Sequence, residues 1–196
     1  LSIGSFLNVV VYRLPVMLER QWRSEARAIL GLSNADSAPF DLMRPRSRCP
    51  TCDTQIRAWQ NIPVVSWLIL RGRCGTCRAP ISIRYPTVEI VAFLFAIPVV
   101  STWGYTFTAA FYLVFLWSLL TLALIDFDTH LLPDQITLPL MWLGLMGAFV
   151  FDSSGVFPTP RDAFIGAVVG YLVLWLLYWS FKLLTGKEGL GYGDFK

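Results

Sequence analysis

Charge is scarce in this chain. Asp, Glu, Lys and Arg make up 15% of its 196 residues, against 55% hydrophobic ones, and the mean hydropathy is +0.56. That balance excludes an ordinary soluble domain and points to the membrane class. Glycine is thin in one region: residues 13–86 hold only Gly31, Gly72 and Gly75. With no glycine-rich loop, and too few residues for the unit, a Rossmann-type nucleotide site is excluded there. Histidine occurs once, at His130, and cysteine four times. The first residue is Leu1, not Met, inside an apolar stretch (1–12, LSIGSFLNVVVY) too short to span a bilayer, which takes about 20 residues. The sequence therefore reads as an internal fragment. It begins part-way through a first transmembrane helix and stops two residues after Asp194, where a further element is expected. No signal or transit peptide can be judged from it.

What the chain has in quantity is long apolar runs. Residues 87–103, 108–125, 135–151 and 163–181 are each about long enough to cross as a helix, and the last three carry no charge. Trp and Tyr sit near several of their ends, as in interfacial belts. Helices are the expected form, because lipid offers no partner to open backbone groups. The expectation is an all-α, polytopic helical membrane protein with a small zinc-ribbon-like insertion on the cytoplasmic side. Its parts are a partial first helix at 1–12, a loop domain at 13–86, and a membrane domain at 87–196.

Residues 13–86 hold twelve Arg against five Asp or Glu, a net of +7. The remainder holds four Lys or Arg against eight acids, a net of −4. Basic loops stay on the cytoplasmic side, which places 13–86 there. Counting crossings onward, 126–134 and 182–196 return to that same face. Within the loop, residues 17–30 have the spacing of an amphipathic helix, lying on the membrane surface or packed on the rest of the loop. Residues 31–47 read as a linker.

The loop ends in Cys49-Pro-Thr-Cys52 and Cys74-Gly-Thr-Cys77. Two C-x-x-C pairs at about this separation make a tetrahedral four-thiolate zinc site, although the gap is slightly long for a ribbon. Two disulfides are the competing reading. A reducing cytoplasm and the neighbouring arginines favour thiolates and zinc. Four protein ligands would close the site, so its expected role is structural.

Asp126 and Asp194 are the candidate catalytic residues. Asp126 directly follows an uncharged run, in LIDFDTHLLPD, and Asp194 lies in GYGDFK. Carboxylates at a membrane edge are costly and are functional candidates by default. The count of crossings puts both on one face, 68 residues apart. A pair sharing one proton can activate water and polarise a carbonyl, which is aspartic peptidase chemistry. The bland alternative is that both cap helices. Asp134 is expected to cap the helix that follows it, and Asp128 and His130 to face water. Glu89, near the start of an apolar run, is expected to snorkel or to pair with an arginine, with a supporting role in the site as the alternative.

These segments together resemble a known family. GSFLNVVVYRLP at 4–15, the four-cysteine loop, RYPTVE at 84–89, IDFDTHLLPD at 125–134 and GYGDFK at 191–196 are similar, in that order, to the type IV prepilin peptidases. The last motif also looks like the G-x-G-D of presenilin-like proteases. The resemblance implies a bacterial inner-membrane aspartic peptidase that removes the basic leader from type IV prepilins or type II secretion pseudopilins at the cytoplasmic membrane edge. It implies, for the four-cysteine type, N-methylation of the new N-terminus with S-adenosylmethionine. By motif, Asp126 and Asp194 match the two catalytic aspartates. No methyl-donor residues can be named, and no nucleic-acid partner is expected. The rival readings are a non-catalytic zinc-ribbon membrane docking module and a presenilin-like protease with other substrates.

Overall fold

The structure is a computed structural model, and it describes residues 2–33, 39–56, 60, 62–151 and 158–187. Among them the regular structure is helical: α1 (Ser2–Ile29), α2 (Pro63–Ile69), α3 (Arg84–Trp103), α4 (Phe107–Thr129), α5 (Asp134–Val150) and α6 (Pro160–Thr185). Extended pairing is confined to two isolated antiparallel bridges, Arg48 with Gln55 and Arg73 with Pro80. By length and composition α3, α4 and α6 can cross a membrane; α5, at 17 residues, is a shorter apolar helix. The chain divides into two compact units, Leu1–Leu124 and Ile125–Lys196, each described in turn.

In the first unit α1 packs on α3. The sequence reads a membrane stub at 1–12 and a separate amphipathic helix at 17–30. The structure instead runs one 28-residue helix straight through Pro15. Proline costs a helix the hydrogen bond to the carbonyl four residues back, here Val11. The flanking turns hold, because Leu7, Val10, Val11 and Leu18 are all buried. At 1.5 Å per residue, α1 is about 42 Å long, more than a hydrocarbon core of roughly 30 Å. Its second half carries exposed Glu19, Arg20, Arg23, Glu25 and Arg27. It ends at Gly31, whose φ of +68° lets Leu32 N–H reach back to Arg27 O.

Lipid supplies no hydrophobic drive between helices, so close approach and hydrogen bonds must hold them. Both are present. Asn8 Nδ2 of α1 donates to Gly4 O and to Tyr85 O of α3, each at 3.1 Å. Trp117 Nε1 of α4 donates to Ala92 O of α3 at 3.0 Å. Around these bonds Leu7, Val88 and Ala92 form a buried cluster, with Trp117, Leu120 and Leu124 packed against it. The region after α1 is tied down by Arg13, whose guanidinium donates to Asp41 O and Pro45 O and, with Arg20, lies over the Phe40 ring.

In the second unit α5 packs on α6. Thr137, Leu140, Gly147 and Ala148 of α5 are buried, as is Tyr178 of α6. The rest of α6 exposes apolar side chains along its length, as a helix facing lipid does. Thr159 caps its start, accepting from Asp162 N–H, and Gly186 closes its end in the left-handed conformation. Near that end Lys182 Nζ donates to Tyr178 OH at 3.1 Å.

Candidate functional site

The four cysteines converge. Their Sγ atoms all lie within 4.8 Å of one another, and Cys49 Sγ and Cys77 Sγ are 3.8 Å apart. A tetrahedron of thiolates at about 2.3 Å from zinc has an edge of about 3.8 Å, so the set fits that ion. All four are free thiols, not disulfides. Each pair sits in a short turn of one design. Cys49 N–H donates to Thr54 O and Cys74 N–H to Ala79 O; Ile56 N–H donates to Ser47 O and Ile81 N–H to Gly72 O. Asp53 and Arg78, each just after the second cysteine, both adopt positive φ, 53° and 59°. The two turns are one nine-residue unit repeated at an offset of 25: RCPTCDTQI at 48–56 and RCGTCRAPI at 73–81. That repeat is visible in the sequence and is the signal the cysteine spacing alone does not give.

The turns also set the thiols apart. The Thr54 hydroxyl and backbone N–H hold Cys52 down at about 6. Backbone N–H groups of Cys77 and Thr76 lower Cys74. The Ala79 N–H pulls Cys77 down, but desolvation and the other three sulfurs outweigh it and push that thiol up to about 12. Four sulfurs this close cannot all ionise unaided, which is the arrangement a dication resolves.

The knuckles are joined to the membrane helices by α2. Trp67 Nε1 donates to Ile81 O at 3.2 Å, and its ring lies where a Cβ on Gly72 would meet it at 2.9 Å. At the other end, Val64 N–H donates to Glu89 Oε2 of α3 at 2.6 Å. Glu89 is fully buried, and its Oε1 has no hydrogen-bond partner among the described residues. So Glu89 does not snorkel and, among the described residues, pairs with no arginine, the fates its sequence position suggested. It supplies an acceptor to the first turn of α2, whose N–H groups have none within the helix.

Asp126 belongs to a helix and not to a loop. α4 continues past the apolar run to Thr129, with His130 N–H donating to Asp126 O at 2.8 Å and His130 closing the end at a φ of +51°. Asp126 is half-buried, while Asp128 and His130 are exposed. Two residues apart on a helix is about 200° of rotation, so Asp126 and Asp128 point to opposite sides. Asp134 is the first residue of α5, and Pro133 holds the cap position instead. Its carboxylate still favours the positive end of the helix. Asp194, with the rest of 188–196, lies outside the described residues.

Helices long and apolar enough to span a bilayer, in one chain with a cluster of four cysteines that could hold a metal ion, define a polytopic membrane protein. Family models give the class a name. The bacterial peptidase A24 N-terminal domain matches residues 1–103, and the type IV leader peptidase family matches 113–196. Curated relatives named "Prepilin leader peptidase/N-methyltransferase" align along the whole chain. The one from Stutzerimonas stutzeri is 53% identical over 197 residues, that from Pseudomonas putida 55% over 196, and that from Neisseria gonorrhoeae 49% over 198. The chain covers 67% of the first two and 68% of the third. No solved structure matches. The chain belongs to the type IV leader peptidase family of membrane peptidases.

Proposed function

We propose that this chain is a membrane aspartic endopeptidase that removes the basic leader from type IV prepilins or type II secretion pseudopilins and then takes part in N-methylation of the new N-terminus. The observation that carries the reading is the family match, in order, over 1–103 and 113–196, with relatives of that name about half identical along the whole chain. The site is assigned to Asp126 and Asp194. Placing it at the cytoplasmic face of the bacterial inner membrane rests on the arginine excess of 13–86, which also assigns those residues to that side.

The chemistry follows from two carboxyl groups that share a proton. The ionised one takes a proton from water, and the resulting hydroxide attacks the scissile carbonyl carbon. The protonated one donates to the carbonyl oxygen. Collapse of the tetrahedral intermediate breaks the C–N bond, and the proton taken from water passes to the leaving amine. Acid and base are not divided between the two residues. Asp126, rigidly borne on the last turn of α4, suits a group that must be held in one place.

Zinc would be held by Cys49, Cys52, Cys74 and Cys77, whose mutual spacing fits it. It would supply cross-linking of the two knuckles and no open coordination position. S-adenosylmethionine is the methyl donor implied by the family, and no residue of this chain is assigned to it. The test is incubation of the full-length enzyme with a prepilin, followed by mass analysis of the product. Asp126→Ala and Asp194→Ala are each expected to abolish leader loss while the protein still inserts.

A further inference from the structure

The short helix α2 is fixed at a definite depth. Its Val64 N–H is bonded to Glu89, which lies five residues, about 7.5 Å along the axis, inside α3 from Arg84. Wherever α3 enters the bilayer, α2 therefore begins beside it. Its rotation is fixed as well. Ser66 is buried, and Trp67 is locked between Gly72 and the Ile81 carbonyl. The face turned outward is apolar: Val65, Leu68 and Ile69, at helical spacing i, i+3, i+4, are 40%, 65% and 64% exposed. Ile83, just ahead of α3, is 67% exposed. The turn that follows α2 then presents exposed Arg71 and Arg73.

An apolar face set a few ångströms down a spanning helix and bordered by cations matches one surface in two respects. Helices that lie in the bilayer interface bury their apolar face about 5–10 Å into the headgroup and acyl boundary, and their cations meet anionic lipid phosphates. We propose that α2 and the turn after it form an interfacial shelf. Val65, Leu68, Ile69 and Ile83 seat in the acyl boundary of an anionic leaflet, with Arg71 and Arg73 on lipid phosphates. The cysteine knuckles are then moored flat at the membrane surface through Trp67. They do not project as a free lobe.

The test uses the full-length protein in vesicles of phosphatidylglycerol and phosphatidylethanolamine. The photoreactive residue p-benzoylphenylalanine replaces Leu68 or Ile69, and Met43, 84% exposed, is replaced as a control. Illumination and mass analysis should find lipid adducts at 68 and 69 and none at 43. Arg71→Gln should lower the phosphatidylglycerol share of the adducts about fivefold. Adducts at 68 and 69 on protein segments, their absence, or equal lipid capture at 43 would overturn the proposal. A second measurement needs no substitution in α2. Backbone amides of residues 64–69 in the unmodified protein should exchange about fivefold more slowly in phosphatidylglycerol than in phosphatidylcholine vesicles. Equal exchange would contradict the shelf.

Discussion

Gly4 of α1 and Glu89 of α3 meet so closely that a Cβ on Gly4 would lie 2.5 Å from the Glu89 Cα. Helices in lipid associate through contacts of this kind, where a small residue lets backbones approach. Backbone at that distance cannot give way as a flexible side chain can. Gly4→Val should therefore destabilise the protein by about 1–3 kcal/mol, read as a lower thermal unfolding midpoint in detergent. Gly166→Ala and Gly170→Ala in α6, where nothing lies within 4 Å, should leave it unchanged or slightly raised.

Glu89 sits at the same contact and also reaches α2, the link to the cysteine knuckles. Its Oε2 accepts from Val64 N–H, inside a fully buried setting. Glu89→Ala removes that acceptor and leaves a small void, and should cost about 1–3 kcal/mol. Glu89→Gln keeps an acceptor in nearly the same volume and should retain most of the stability. Comparison of the two variants by thermal unfolding separates loss of the hydrogen bond from loss of charge. Equal destabilisation would mean that the charge matters more than the acceptor.

Removing metal should loosen the knuckles and little else. A strong chelator, or Cys49→Ser, should abolish zinc bound at one ion per chain and open residues 48–56 and 73–81 to proteolysis. The apolar helices should stay inserted. Protons compete with zinc for thiolates, so occupancy should fall as pH falls. Cys52, held at about 6 by Thr54, keeps its thiolate into mildly acid solution. Thr54→Val removes the hydroxyl and should move zinc loss to higher pH, as read by metal content across a pH series.

Asp126 and its acidic neighbours should behave differently. Asp128 is exposed on the opposite side of α4, and Asp134 stands in the first turn of α5. Asp126→Ala should lower leader cleavage at least about 10³-fold, the scale on which catalytic groups acting as a unit are lost. Asp128→Ala and His130→Ala should stay within about tenfold of the parent, measured by initial rates on one prepilin. Equal loss at Asp128 would move the site to the other face of the helix.

Much of this architecture is legible in the sequence for a plain physical reason. Apolar runs near 20 residues have few fates other than a spanning helix, so α3, α4 and α6 can be read from composition. The cysteine cluster is legible because C-x-x-C spacing has so few uses. α1 is less legible, since Pro15 and the charges beyond it look like a break. Only the packing of its first half against α3 shows that the helix continues. The sequence puts Asp126 just past the apolar run, at the membrane edge, whereas hydrogen bonding carries α4 one turn further, to His130. Sequence position suggests snorkelling or an arginine partner for Glu89, the usual fates of a carboxylate near a helix start. What overrides it is a backbone donor 25 residues earlier in the chain, which no local pattern announces.

The central claim is that this chain carries the peptidase and that Asp126 and Asp194 perform it. The most direct measurement is the mass of a prepilin after incubation with the full-length enzyme, its Asp126→Ala form and its Asp194→Ala form in the same membranes. The account predicts loss of the leader mass, with the mature product heavier by one methyl group when S-adenosylmethionine is present, and an intact prepilin with either variant. Leader loss that survives Asp126→Ala or Asp194→Ala would contradict it.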